Sequence, residues 1–259
     1  MRWKTALAIA RGPKHEKDGT PCQDVGVFEI LPGNVLVGAV CDGAGSAAMA
    51  ETGARLTAAR VLACLRRMDW KPSPISECEA RSLFLIACEE ALAELRATAD
   101  ATGNRLRDYN TTLLAFVLTP GWLAAMQIGD GFLVAREDDK ENYRLLFLPQ
   151  HGDYANEAAF VTDPDMSEEM EVCVVPGNIS FLSASTDGLE WVALRTQTWT
   201  PNFLFFNRFE AFLRETGDSE AAKAGIHAFF EDAKLKAFHR DDKTLFLCIA
   251  EDSSEMAGG

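Results

Sequence analysis

Four aspartates stand where apolar runs begin or stop. Asp42 closes VLVGAVC and opens Asp42-Gly43-Ala44-Gly45-Ser46; Asp130 closes WLAAMQIG, Asp187 closes ISFLSAST, and Asp241 precedes TLFLCIA. Runs of that kind read as strands of one core, so the four carboxylates cap four strand ends. Asp-Gly is also the commonest hairpin signal, and Asp18-Gly19 reads as a turn only. A tight hairpin explains neither Asp42 nor Asp187, because helix-like or irregular sequence follows each of them. Carboxylates converging at one sheet edge repel strongly unless protons or cations neutralise them. Mg²⁺ and Mn²⁺ prefer carboxylate and water oxygens, and no thiolate or histidine cluster competes here. The spacing makes a hard-metal site plausible without naming its reaction.

The elements that must position these acids follow from periodicity. Val25–Ile30 and Val35–Cys41 flank Leu31-Pro32-Gly33-Asn34 and read as a hairpin. A helix is expected over about Ala48 to Met68, with one apolar stripe at Ala54, Ala58, Val61, Leu65 and Met68. A second, about Ile75 to Ala97, steps through Phe84, Cys88, Ala91 and Leu95. Strands are expected at Thr111–Thr119, Trp122–Ile128, Phe132–Arg136, Tyr143–Leu148, Val172–Val175, Ile179–Ser185 and Thr244–Ala250, with helices near Phe203–Glu215 and Ser219–Lys236. Tyr109 to Gly129 carries no charge, but Pro120-Gly121 at its centre predicts a type II turn in a β-hairpin, not a membrane span. Strands in runs and helices in pairs predict packed sheets covered by helical pairs, an α+β arrangement.

Composition narrows the function classes. With 47% hydrophobic and 25% charged residues, the 259-residue chain is not wholly disordered. A net charge of −14 argues against nucleic acid or an anionic membrane as the main partner. Seven cysteines without C-x-x-C or Cys/His ligand spacing read as buried free thiols, so a cytoplasmic location is expected. The N-terminal TALAIA is too short for a signal-peptide core and runs into Arg11-Gly12-Pro13-Lys14 without a cleavage pattern.

Taken together, six motifs resemble those of the PP2C-type metal-dependent serine/threonine phosphatases. They are Pro21-Cys22-Gln23-Asp24, Asp42-Gly43-Ala44-Gly45-Ser46, Asn110-Thr111-Thr112, Ile128-Gly129-Asp130-Gly131, Ser185-Thr186-Asp187-Gly188-Leu189 and Asp241-Asp242-Lys243-Thr244. The bacterial branch with H-x-x-x-G-x-P-C-Q-D near its start is the best match, here His15 to Asp24, and Gly152 to Glu157 is similar to its G-E-Y-x-N-E segment. The likeness runs from about Trp3 to Ala250. It implies the PP2C-like αββα sandwich, two mainly antiparallel sheets flanked by helical pairs. Residues 1–259 would form a single phosphatase domain, with a core of about 3–250 and a disordered tail over 251–259.

The resemblance further implies a binuclear Mn²⁺/Mg²⁺ centre that activates water to hydrolyse phosphoserine and phosphothreonine in proteins. Asp42 would bridge the ions, the Gly43 carbonyl would bind the second, and Asp187 and Asp241 would hold the first. Asp130 with Asp187 matches a third, weaker metal site, and Asp24 matches an acid acting near the second ion through water. The chemistry would thus rest on Asp42, Asp187 and Asp241. Implied partners are a phosphorylated protein and a cognate serine/threonine kinase, with no nucleic acid, no membrane and a monomeric chain.

Two departures bear on mechanism. Gln23 replaces a metal-binding Glu of eukaryotic relatives, and Ala44 replaces the His proposed there as general acid. The neighbourhood of the family's phosphate-contacting Arg holds Arg11, Lys14, His15 and Lys17. His15 is the candidate for phosphate contact or proton donation, against the alternative of a solvated histidine. His151 and His239 lie near motifs, and Asn156 falls in the segment matching the family's mobile region beside the site. A pseudophosphatase serving as a sensor or docking partner, and a small-molecule phosphoesterase, remain alternatives on the same fold.

Overall fold

A computed structural model of the chain describes residues 1–150 and 158–251. The first half runs β1 (Arg2–Ala10), α1 (Pro13–Asp18), β2 (Asp24–Leu31), β3 (Val35–Asp42), α2 (Ala50–Arg67), α3 (Glu77–Thr102), β4 (Leu113–Thr119), β5 (Trp122–Ile128), β6 (Phe132–Glu137) and β7 (Arg144–Leu145). It continues through α4 (Met166–Glu169), β8 (Glu171–Pro176), β9 (Ile179–Ser185), α5 (Glu190–Ala193), β10 (Leu194–Arg195), β11 (Thr200–Pro201), α6 (Phe203–Glu215), α7 (Ser219–Phe230), α8 (Ala233–Phe238) and β12 (Lys243–Glu251). The segment likened to G-E-Y-x-N-E, with His151 and Asn156, and residues 252–259 of the expected tail lie outside the described residues. Glu251, expected in that tail, is the last residue of β12.

Ten strands form two antiparallel five-stranded sheets, ordered β1-β12-β9-β6-β7 and β2-β3-β4-β5-β8. Side-chain alternation decides how they pack. In β4, Leu114, Phe116 and Leu118 enter the layer between the sheets, where Phe116 and Phe246 meet at 5.0 Å. Leu113, Ala115 and Val117 point the other way, onto the stripes of α2 and α3. Both faces of β4 and β5 are therefore buried, which explains the charge-free stretch. Among the described residues no helix is long and apolar enough to cross a membrane. On the other sheet, Phe181, Leu245 and Leu247 face Phe206, Phe209 and Ile226 of α6 and α7. The expected helical pairs thus cover opposite outer faces of the sandwich.

Several expectations are corrected. Gly121 has no positive φ, so the β4–β5 turn is not type II. Instead the Thr119 hydroxyl accepts from the Gly121 and Trp122 N–H groups at 3.2 and 3.0 Å and closes the turn without a left-handed residue. The helix expected over Ser219–Lys236 breaks at Asp232, whose carboxylate caps α8 through the Lys234 and Leu235 N–H groups. The strand expected over Tyr143–Leu148 is only the two-residue edge β7, with two ladder pairs to β6. Asp18-Gly19 ends α1, Gly19 taking the left-handed conformation of a helix C-cap. The apolar TALAIA lies in β1, paired along its whole length with β12.

Candidate metal centre

Antiparallel register brings the chemistry to one end of the sandwich. Asp24 opens β2 and Asp42 closes β3, and the two are ladder partners. In the other sheet, Ser185 at the end of β9 pairs with both Phe132 and Leu245. Asp187, Asp130 and Asp241 therefore lie just past three neighbouring strand ends. Asp24 and Asp42 belong to the ladder itself and the other three lie two residues from a strand end, so strands fix where the five backbones stand.

The backbone around Asp42 is fixed by two threonines. Thr111 Oγ1 and the Thr112 N–H both donate to the Asp42 carbonyl at 2.8 Å, and the Asp42 N–H donates to Thr112 Oγ1 at 3.1 Å. Thr111 does not begin β4 as expected; it makes an isolated bridge to Gly43 before the strand starts at Leu113. Gly43 is buried, and a side chain there would run into Ala50 at the start of α2. Gly188, next to Asp187, packs its bare Cα against the Asp242 carbonyl. Gly12 lies just as close to the Asp241 backbone.

The carboxylates act on one another. Burial first, then the charges of Asp24, Asp187, Asp130 and Asp241, push the Asp42 carboxyl well above the usual carboxylate range. Asp187 is driven up in the same way by burial and by Asp130, Asp241 and Asp24, with partial relief from a hydrogen bond to Asp42. Burial also raises Asp24, to about 7, with Asp242 and Asp241 adding to the rise. The Thr186 and Thr244 hydroxyls oppose it, donating to Asp24 Oδ2 at 2.7 and 2.9 Å. Asp24 Oδ1 and Asp187 Oδ1 are sealed from solvent with no hydrogen-bond partner. Buried carboxylate oxygens left without donors, among mutually repelling acids, fit hard divalent cations.

The structure also brings in Asp242, to which the motifs gave no role, and shows that His15 is not a solvated histidine. His15 is buried, and its Nδ1 lies 2.9 Å from Asp242 Oδ2. His15, Asp241 and Asp242 each place one possible ligand atom within 4.8 Å of the others. Asp242 is nearly spent as a ligand, because the Gly12 and Gln23 N–H groups also donate to it, each at 2.6 Å. Exposed Asp241 is the freer of the two. Their contrast is invisible in two adjacent identical letters; the available signal was the apolar strand starting directly after them. Lys243 is buried beside them and donates to the His239 and Asp241 carbonyls at 2.9 and 2.7 Å. The His239 imidazole is held below its usual range by burial and by Lys243.

Comparisons with known proteins point to one family and one fold. The profile of the family described as "Protein phosphatase 2C" matches residues 11–231. The chain is 29% identical over 256 residues to serine/threonine-protein phosphatase 3 of Escherichia coli (strain K12), covering 96% of this chain and 99% of that protein. Among solved structures, a bacterial serine phosphatase variant superposes with a TM-score of 0.68 at 13% identity, covering 96% of this chain and 98% of that one. The serine/threonine phosphatase Stp1 from Staphylococcus aureus gives 0.66 at 12% identity, covering 97% and 96%. At such identities the structural likeness speaks for the fold.

Proposed function

Because the chain belongs to the protein phosphatase 2C family, we propose that it hydrolyses phosphoserine and phosphothreonine in proteins at a binuclear Mn²⁺ or Mg²⁺ centre. The reading is carried by the convergence of Asp24, Asp42, Asp130, Asp187 and Asp241 on one sandwich end, where two carboxylate oxygens are sealed without donors. Asp42, Asp187, Asp241 and the Gly43 carbonyl would hold the pair of ions; Asp130 would share a third, weaker site with Asp187, and Asp24 would act through water. When bound, such ions lower the pKa of water and offset charge on phosphoryl oxygens. The chain's own residues supply placement. Thr111 and Thr112 hold the Asp42 backbone, and Thr186 and Thr244 turn Asp24 so that its free oxygen faces away from them. His15, tied to Asp242, would contact the phosphate or donate a proton. The substrate is a phosphoprotein, with a cognate kinase as partner, and the chain works as one cytoplasmic, monomeric domain.

Purified protein with Mn²⁺ is expected to hydrolyse para-nitrophenyl phosphate and a phosphothreonine peptide, and EDTA to stop both reactions. Asp42→Asn and Asp187→Asn should each lower kcat more than about 100-fold, beyond the range set by loss of an outer-shell partner. Mn²⁺-loaded protein inert toward both substrates would return the reading to a pseudophosphatase. Full activity in either variant would remove that residue from the site.

A further inference from the structure

Asp130 leaves β5 through Gly129, the first residue beyond the last β4–β5 ladder pair, Leu113 with Ile128. Gly129 is buried and takes a left-handed conformation, φ 99°, which turns the chain out of the sheet directly before the acid. Its peptide groups lie past the ladder, and being buried they still need partners. Gln150 supplies them. The Gly129 N–H donates to Gln150 Oε1 at 2.7 Å, and the Gln150 N–H donates to the Gly129 carbonyl at 3.2 Å. Gln127 Nε2 is a second donor to that carbonyl, at 3.1 Å.

The Gln150 amide also reaches the opposite way. Its Nε2 donates to the Glu169 carbonyl at 2.7 Å, at the end of α4 and just before the edge strand β8. The Gly129 N–H can only donate and the Glu169 carbonyl can only accept, so the amide has one orientation. Gly129 is thereby braced against the chain that enters β8. On its other side Gly129 lies against Thr112, leaving no room for a side chain, and Thr112 holds the Asp42 backbone. Among the charges acting on Asp187, that of Asp130 is the largest. A glutamine outside the six motifs therefore fixes the peptide from which Asp130 projects.

We propose that Gln150 is a positioning residue: by holding both the N–H and the carbonyl of Gly129, it sets where Asp130 stands relative to Asp187, and so how tightly the two carboxylates retain a divalent cation. The proposal rests on the metal-site reading above. It adds a residue that touches no ion and acts through one backbone peptide.

The test uses the full-length protein, stripped with EDTA, dialysed and titrated with Mn²⁺, the free ion being counted by its electron paramagnetic resonance signal. The variants are Gln150→Met, which keeps the length of the side chain without its amide, Asp130→Asn, and the two combined. Asp130→Asn should weaken the weakest Mn²⁺-binding step. Gln150→Met should weaken the same step about tenfold, the lower end of the range for loss of an outer-shell partner. In the Asp130→Asn background, Gln150→Met should change that step by less than about twofold, because both substitutions act on one path. The Mn²⁺ concentration for half-maximal hydrolysis of para-nitrophenyl phosphate should move with the isotherm. Urea unfolding in EDTA records any loss of fold stability separately.

A lower urea midpoint in Gln150→Met with an unchanged Mn²⁺ isotherm would reduce Gln150 to a support of the fold and overturn the proposal. So would a full further weakening by Gln150→Met in the Asp130→Asn background, which would place its effect elsewhere. An isotherm altered by Asp130→Asn but not by Gln150→Met would leave the metal site standing and sink only the brace. An isotherm unchanged by Asp130→Asn would instead remove Asp130 from the site, and the proposal with it. Should Gln150→Met fail to fold, Gln150→Ala, a truncation at a half-buried position, is read by the same criteria. An inert wild type does not stop the test, since the isotherm needs no catalysis.

Discussion

Asp24 shows how a single residue reports on the centre. Its carboxyl is raised to about 7, mainly by burial. In the unfolded chain it ionises near the ordinary value of about 3.9. Between those limits, with metal chelated, the folded chain keeps a proton that unfolding releases, so stability falls as pH rises and the loss is complete above about pH 7. Asparagine removes the titration and keeps the geometry, since one amide oxygen can accept both the Thr186 and Thr244 hydroxyls. In EDTA, Asp24→Asn should therefore match wild type near pH 4 and exceed it by a few kcal/mol above pH 7, an order-of-magnitude figure. Thermal melts of both proteins from pH 4 to 8 check this, and Mn²⁺ should narrow the gap by offsetting the wild-type charge. A gap independent of pH would mean that Asp24 is not a strained acid.

At the scale of elements, the site depends on strands and turns that approach one another closely. Gly188 sits between Asp187 and the short helix α5, against the Asp242 carbonyl. Its alanine variant must push the ends of β9 and β12 apart, costing about 1–3 kcal/mol as overpacking does. Urea unfolding should show that loss, together with a higher Mn²⁺ requirement, because Asp187 and Asp241 flank the contact. Unchanged stability and Mn²⁺ requirement would show that the strand ends move independently. This joint also marks the boundary of what could be read from the chain. The stripes of α2 and α3 and the strand-end acids were legible because periodicity and run length are local properties. The contrast between Asp241 and Asp242 was not, since it arises when residues 12 to 23 fold across them from far away in the chain. For the same reason Pro120-Gly121 suggested a type II turn, although a threonine hydroxyl supplies the closure. The break at Asp232 was a cap hidden within an apparently continuous amphipathic pattern.

For the whole molecule, the net charge of −14 now has two parts. Five acids are gathered where cations would offset them, while the remaining excess is spread over the rest of the chain and its surface. A phosphoprotein approaching the site is itself anionic and meets that field before it meets any ion. Field strength at a distance follows net charge and is screened over a Debye length, about 30 Å at 0.01 M salt and about 8 Å at 0.15 M. Phosphothreonine peptides flanked by lysine or arginine should therefore show a lower KM than the same peptides flanked by aspartate or glutamate. The difference should be largest at low ionic strength and shrink toward physiological salt. kcat should stay nearly equal between them, because the flanks act on encounter and not at the phosphorus. Steady-state kinetics on matched peptide pairs across a salt series separates these quantities. An acidic-flanked peptide with the lower KM at low salt would show that local cations dominate the approach, and that the summed charge of the chain does not govern access to its site.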